Sequence, residues 1–289
     1  MVTVHNFSNG LLSPALGYAM SCVGSFLGLR CVTLGRARHG LSRARWLSLA
    51  AVSIGATGIW AMHFIAMLGF TIPGQEILYN VPKTIASMLV AVALVGVGLF
   101  IVGFGDGGPR RLLAGGVIIG IGAAAMHYLG MAAMSTQDSL SYNVPLLMVS
   151  VLIAVVAGTA ALWAGTRVNS LAATIGAALI MGVAVSGMHY TGMAALHISR
   201  GSISSLAVAR ATGMSAVSGT TAAVFLIPLL LVISVATFAV TLTISISPRE
   251  DEIQADAEMQ RRMEYLERRQ GLSRVSSGPK STPPWDVLR

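Results

Sequence analysis

Three Met-His pairs recur in this chain, each followed four residues after the histidine by another methionine. They are Met62-His63 with Met67, Met126-His127 with Met131, and Met188-His189 with Met193. Residues four apart lie one above the other on a helix, so each copy sets an imidazole and a thioether on one face. Neutral imidazole ligates copper, iron, zinc or nickel, and thioether selects softer ions, chiefly Cu(I). Calcium, magnesium and manganese want oxygen, and no acidic residue falls inside the apolar runs that carry the motifs. Zinc is weakened because thioether is not among its usual ligands. A neutral ligand set around a monovalent ion leaves about one positive charge at depth, which a helix bundle tolerates better than two. The expected cofactor is therefore copper as Cu(I), held by these nine residues. Haem, whose iron accepts His/His or His/Met axial pairs, is the rival. Met62, Met126 and Met188 sit about 100° around the helix from their histidines; packing on a neighbouring helix is the alternative role for them.

The elements that must position these groups are membrane helices. The chain has 289 residues, 54% hydrophobic and 10% charged, against about 25% charged in a soluble domain. Runs of roughly 20 apolar residues span a bilayer. Seven occur, at about 11–35, 46–70, 82–104, 112–134, 145–166, 172–197 and 221–247. The fold class is all-α: a polytopic bundle of seven transmembrane helices. Arg36, Arg38, Arg43, Arg45, Arg110, Arg111 and Arg167 fall in the loops of one side, against Lys83, Arg200 and Arg210 on the other. The positive-inside rule then puts the N-terminus outside and the C-terminus in the cytoplasm. The net charge of +8 reads as a topology signal and attraction to anionic lipid, not as nucleic-acid binding. Cys22 and Cys31, nine residues apart on one helix, face nearly opposite ways and form no redox pair.

A repeat organises the bundle. The histidines are spaced by 64 and 62 residues, and Tyr79-Asn80-Val81-Pro82 returns as Tyr142-Asn143-Val144-Pro145. In each, proline opens the next helix, where its missing N–H costs nothing. The unit is a helix pair with an outer loop, repeated as helices two–three, four–five and six–seven. The third outer segment, Ile198–Gly219, is longer and lacks the Tyr-Asn-Val-Pro landmark. Helices two, four and six run the same way, with each histidine roughly 10 Å from the outer end, so the three pairs are expected at one depth. Small residues precede them: Gly116 and Gly120 before His127, Gly182 and Ser186 before His189, and Ala56, with Ile59, before His63. These favour close helix approach in lipid. Phe64, Tyr128 and Tyr190 follow the histidines as interface anchors or walls of the site. His197 and Met134 extend two of the faces outward as weaker candidates.

Domain boundaries follow composition: 8–247 membrane domain, 248–270 a charged cytoplasmic juxtamembrane helix, and 271–289 a Ser/Pro-rich tail expected to be disordered. No nucleotide-binding loop or catalytic triad is present in the sequence, and no enzymatic activity is expected.

Met188-His189-Tyr190-Thr191 matches the signature of the MHYT domain, with Met126-His127-Tyr128-Leu129 and Met62-His63-Phe64-Ile65 as variants. Across about residues 8–247 the chain resembles that bacterial integral-membrane sensor family. The resemblance implies a site near the outer face of the plasma (inner) membrane that binds copper and, through it, oxygen, carbon monoxide or nitric oxide. Family members often carry cytoplasmic cyclic-di-nucleotide or histidine-kinase domains; this chain ends in a short tail, so a cytoplasmic signalling partner is expected to read the state of the site. Copper handling or transport, and a haem-based redox role, are the alternative functions. The sequence leaves a homo-oligomer open.

Overall fold

The computed structural model describes residues 8, 10–73, 77–105, 107–135, 139–199, 222–245 and 258–266. The expected tail, 271–289, and most of Ile198–Gly219 lie outside these. The chain divides into two units, Met1–Ser245 and Ile246–Arg289. The second is described only as a short helix, 258–266, on which Met259, Met263 and Leu266 are exposed.

The first unit holds seven apolar spans among its described residues. They are span one Leu12–Arg36, span two Gly40–Met67, span three Val81–Gly103, span four Pro109–Ala132, span five Val144–Arg167, span six Leu171–Ala194 and span seven, within the helix Ala222–Ser245. Local chemistry sets several starts. Asn80 and Asn143 cap spans three and five, each side chain accepting a hydrogen bond from the backbone N–H three residues on, and Ser170 does the same for span six. Such a cap satisfies an orphan donor of the first turn. The Asn-Val-Pro landmark is thus a cap followed by a proline in the first helical turn.

Span two is the most enclosed: 83% of its apolar window is buried, against 28% for span five. It is also irregular. An α-helix over Gly40–Val52 gives way to a π-helix over Ser53–Ala61, and α-helix resumes at Met62–Met67. The apolar run 46–70 implies one uniform helix, and the structure starts it six residues earlier and breaks it. Ser53 marks the change, its hydroxyl donating back to the Leu49 carbonyl, a bond that competes with the helix ladder and bends it. Glycines seat the wide turns on both sides. A Cβ on Gly55 would lie 2.8 Å from the Val92 Cα of span three, and one on Gly24 would run into the Gly58 backbone from span one.

At the end of the bundle that carries the connections two–three, four–five and six–seven, four short strands form two antiparallel pairs. These are β1 Leu78–Tyr79 with β2 Met134–Ser135, and β3 Ser139–Tyr142 with β4 Leu196–Ser199. Asn80 N–H donates to the Ala133 carbonyl, and Asn143 N–H donates to the Ala195 carbonyl, both at 2.8 Å. The loop after span two is therefore clipped to the end of span four, and the loop after span four to the end of span six.

The opposite end is held by arginine. Arg43 donates to the carbonyls of Gly35, Arg36, Arg38 and Gly103, and Arg36 donates to those of Gly165 and Asn169 (the latter through its side-chain oxygen). These residues carry the charge asymmetry that the orientation argument uses, and they also satisfy the terminal carbonyls of spans one, three and five.

Candidate metal centre

His63, His127 and His189 stand on spans two, four and six, one to one and a half turns from the strand end. Their placement follows from chain direction and repeat length: parallel helices with the motif at equal distance from the clipped end bring the three rings to one level. They meet. The Nδ1 atoms of His63 and His189 are 3.0 Å apart, those of His63 and His127 3.1 Å, and those of His127 and His189 3.3 Å. The rings stand edge-on to one another, with centroids 4.9–5.1 Å apart and planes crossing at 78–88°. All three are no more than 2% exposed.

This triangle does not close on itself as a hydrogen-bonded set. Each neutral imidazole offers Nδ1 either as a donor or as a lone pair. With three nitrogens turned on one another, every choice of tautomers leaves two lone pairs or two N–H groups in opposition. A cation at the centre resolves the conflict by accepting three lone pairs at once. The geometry fits: the point equidistant from the three nitrogens is about 1.8 Å from each, from edges of 3.0, 3.1 and 3.3 Å, close to the 2.0–2.1 Å of a metal–imidazole bond. Among the described residues these three histidines are the group that could hold a metal ion.

Glycine makes the room for the rings. A Cβ on Gly130 of span four would lie 2.7 Å from Nε2 of His63, and one on Gly192 of span six would collide with Nε2 of His127. Each glycine stands three residues after the histidine of its own copy, yet it accommodates the imidazole of the preceding copy. Span two carries Ala66 at this position. Nε2 of His63 and Nε2 of His127 are buried without a hydrogen-bond partner. The glycine role was not found from sequence; the shared Gly-Met step of copies two and three, Gly130-Met131 and Gly192-Met193, was the available signal.

All six motif methionines are buried, at no more than 4% exposure, in one continuous core. Met62 lies toward span one, with its Cγ 3.6 Å from where a Gly17 Cβ would stand. The aromatic residues wall their own histidines. Phe64, Tyr128 and Tyr190 contact His63, His127 and His189 edge-on at 4.7–4.8 Å. Phe64 also packs on Trp60, whose indole donates to the Thr84 carbonyl and Ser87 hydroxyl of span three. Tyr128 is held by a 2.6 Å hydrogen bond to Ser150. Tyr142, in β3 beyond the spans, has its hydroxyl pushed up to about 12 by burial and then by Tyr128, so it remains a neutral donor.

One sequence expectation changes. His197 and Met134 do not continue the helical faces: both lie in strands, and His197 Nδ1 bonds the Ala195 carbonyl. The small residues Gly116, Gly120 and Gly182 are packing contacts, as expected, seated on Thr159 and Val155 of span five and Cys22 of span one.

Comparison with known proteins agrees with this organisation. The family model described as MHYT, "bacterial signalling protein N terminal repeat", matches residues 57–116 and 120–178, two stretches that begin shortly before His63 and His127. Over 220 residues the chain is 39% identical to the bifunctional diguanylate cyclase/cyclic di-GMP phosphodiesterase MucR of Pseudomonas aeruginosa, covering 74% of this chain and 30% of that protein. It is 36% identical over 192 residues to the cyclic di-GMP phosphodiesterase NbdA of the same species, covering 64% and 24%. It is 30% identical over 187 residues to the signaling protein YkoW of Bacillus subtilis, covering 62% and 23%. The chain thus spans less than a third of the length of these relatives. No solved structure matches it. Seven apolar spans and signalling relatives of this kind make it a multi-pass protein of the bacterial inner membrane. The two matched repeats, with a third Met-His copy converging on the same centre, identify the chain as a member of the MHYT family of bacterial membrane signalling proteins.

Proposed function

We propose that this protein is a membrane sensor whose His63, His127 and His189 hold a copper(I) ion through their Nδ1 atoms, close to the outer face of the membrane. The observation that carries the reading is the meeting of three Nδ1 atoms within 3.3 Å in a buried, apolar setting. Copper(I) would supply a coordination position open to oxygen, carbon monoxide or nitric oxide. No carboxylate lies in any span, so a divalent ion would leave two uncompensated charges at depth, which favours a monovalent one. Haem is disfavoured by the same contact, because axial histidines must stand apart on opposite faces of a macrocycle. The orientation rests on the arginine-rich loops at the end away from the strands.

The chain's own residues supply a path for the signal. His63 stands two residues beyond the π segment, and Thr57 within that segment shares a 2.8 Å hydrogen bond with Thr237 of span seven. A change in the preferred spacing of the imidazoles bears on span two, and through Thr57 on span seven and the chain beyond it. For a ligand to signal, it must favour one arrangement of these spans over another. A cytoplasmic partner, or a domain joined to the same spans, then reads the difference. The triple variant His63→Ala, His127→Ala, His189→Ala should purify as a folded membrane protein with its copper reduced to background by elemental analysis. Undiminished copper in that variant would refute the centre, and copper uptake by vesicles carrying the wild type would point to transport instead.

A further inference from the structure

Two cavities lie between the spans on the arginine side of the histidines. A cavity of about 120 Å³ opens near the arginine end, between Leu29, Leu47, Ile54, Leu99, Ile119 and Leu162, with Arg36, Arg43 and Thr166 at its outer margin. A second, of about 30 Å³, shares Ile54, Ile119 and Ala161 with the first and continues toward the strand end. Ile59, Ala123 and Val185 line this second cavity. Each stands four residues before a histidine: Ile59 before His63, Ala123 before His127, Val185 before His189. On the α-helices of spans four and six, residues four apart share a face, about 6 Å apart along the axis. The upper cavity therefore lies one helical turn below the ring of imidazoles, on the faces that carry them. Met188, next to His189, completes the approach.

We infer that these two cavities form a route and waiting site by which a small uncharged diatomic molecule reaches the histidine centre from the arginine end of the bundle. The inference deepens the sensor reading and rests on it for the identity of the acceptor. Size and lining select the occupant. Ser25 is the single polar side chain around the upper cavity, whereas a buried water needs two to four polar partners. An ion would lose its hydration without replacement. An apolar cavity of about the size of the lower one takes up xenon or small hydrocarbons, and the upper one, at about 30 Å³, limits the occupant to something as small as carbon monoxide, nitric oxide or oxygen. The opposite approach is covered: Phe64, Tyr79 and Met134 at the strand end are each no more than 5% exposed. The margin of the lower cavity is held in place by the Arg36 and Arg43 bonds to the Gly165 and Gly103 carbonyls, so the route is built into the resting fold.

The test separates the route from the metal. Full-length, metal-free protein equilibrated with xenon should show xenon in both cavities by anomalous diffraction, with the upper position lost in Ala123→Phe. That result does not depend on copper, so it survives even if the triple-alanine variant retains its metal. In copper(I)-loaded protein, the rate of carbon monoxide binding, followed by the C–O infrared stretch, should fall on the order of tenfold in Ala123→Phe at equal copper content. It should rise in Ile119→Ala, which widens the shared segment and guards against misfolding of the bulkier variant. Absence of xenon from the upper cavity of the wild type overturns the proposal, as does a lipid chain lodged in the lower one. A binding rate that neither variant moves overturns it too.

Discussion

Spans two and four carry the same Met-His motif, yet they deliver it in different ways. Span four is an uninterrupted α-helix from Pro109 to Ala132 that seats Gly116 and Gly120 on span five and Gly115 and Gly122 on span three. Span two is the most enclosed, and nine residues of π-helix end two residues before its histidine. Short π stretches inside α-helices gather at functional sites, and each wide turn shifts the register of everything after it. Equal motifs in sequence are therefore not equal in mechanics. The rings of spans four and six are set by regular helices, whereas that of span two depends on how its wide turns are held by spans one and three.

The comparison can be broken most directly at the seat of those turns. Gly24→Ala should drive a methyl into the Gly58 backbone and cost stability toward the upper end of about 1–3 kcal/mol. The matched control Gly176→Ala, where nothing lies within 4 Å, should stabilise by roughly 0.5–1 kcal/mol. Thermal unfolding in detergent measures both, and equal melting points would mean that the π seat carries no strain of fit. A smaller effect is expected at the ring itself. Gly130→Ala pushes on Nε2 of His63 and should weaken copper binding roughly 10–100-fold, while Ala66→Gly in span two should leave it near wild type. Titration of the apoprotein with Cu(I) under a competing chelator distinguishes them, and identical affinities would show that the glycines only pack. The smallest effect sharpens the aromatic contrast. Tyr128→Phe copies the Phe64 of span two and loses the Ser150 bond, at about 0.5–1.5 kcal/mol, with copper content unchanged; a loss of copper would give the hydroxyl a role at the centre.

Much of this arrangement could be read before any coordinates. The spans follow from uninterrupted apolar length, and the common level of the histidines follows from parallel direction and a 62–64-residue period. What stayed hidden depends on contacts distant in sequence. Strands of two to four residues have no periodicity to detect, and β1 pairs with β2 across more than fifty residues. The π segment Ser53–Ala61 has the composition of any membrane helix; only its seats on Gly24 and Val92 mark it. The pairing of Gly130 with His63 joins one copy to the next, so a motif studied one copy at a time cannot reveal it.

The strand clips have a mechanical consequence. They tie the ends of spans four and six to the loops before them, so a stiff helix held there turns as a lever about its clipped end. His127 is five residues from the Ala132 end of span four, and Pro109 is twenty-three from it. A sub-ångström spreading of the imidazoles would therefore grow roughly fourfold by the time it reaches the arginine loops. A pivot near the ring and a long arm toward the arginine end would convert a change in ligand size into a displacement large enough for another protein surface to feel.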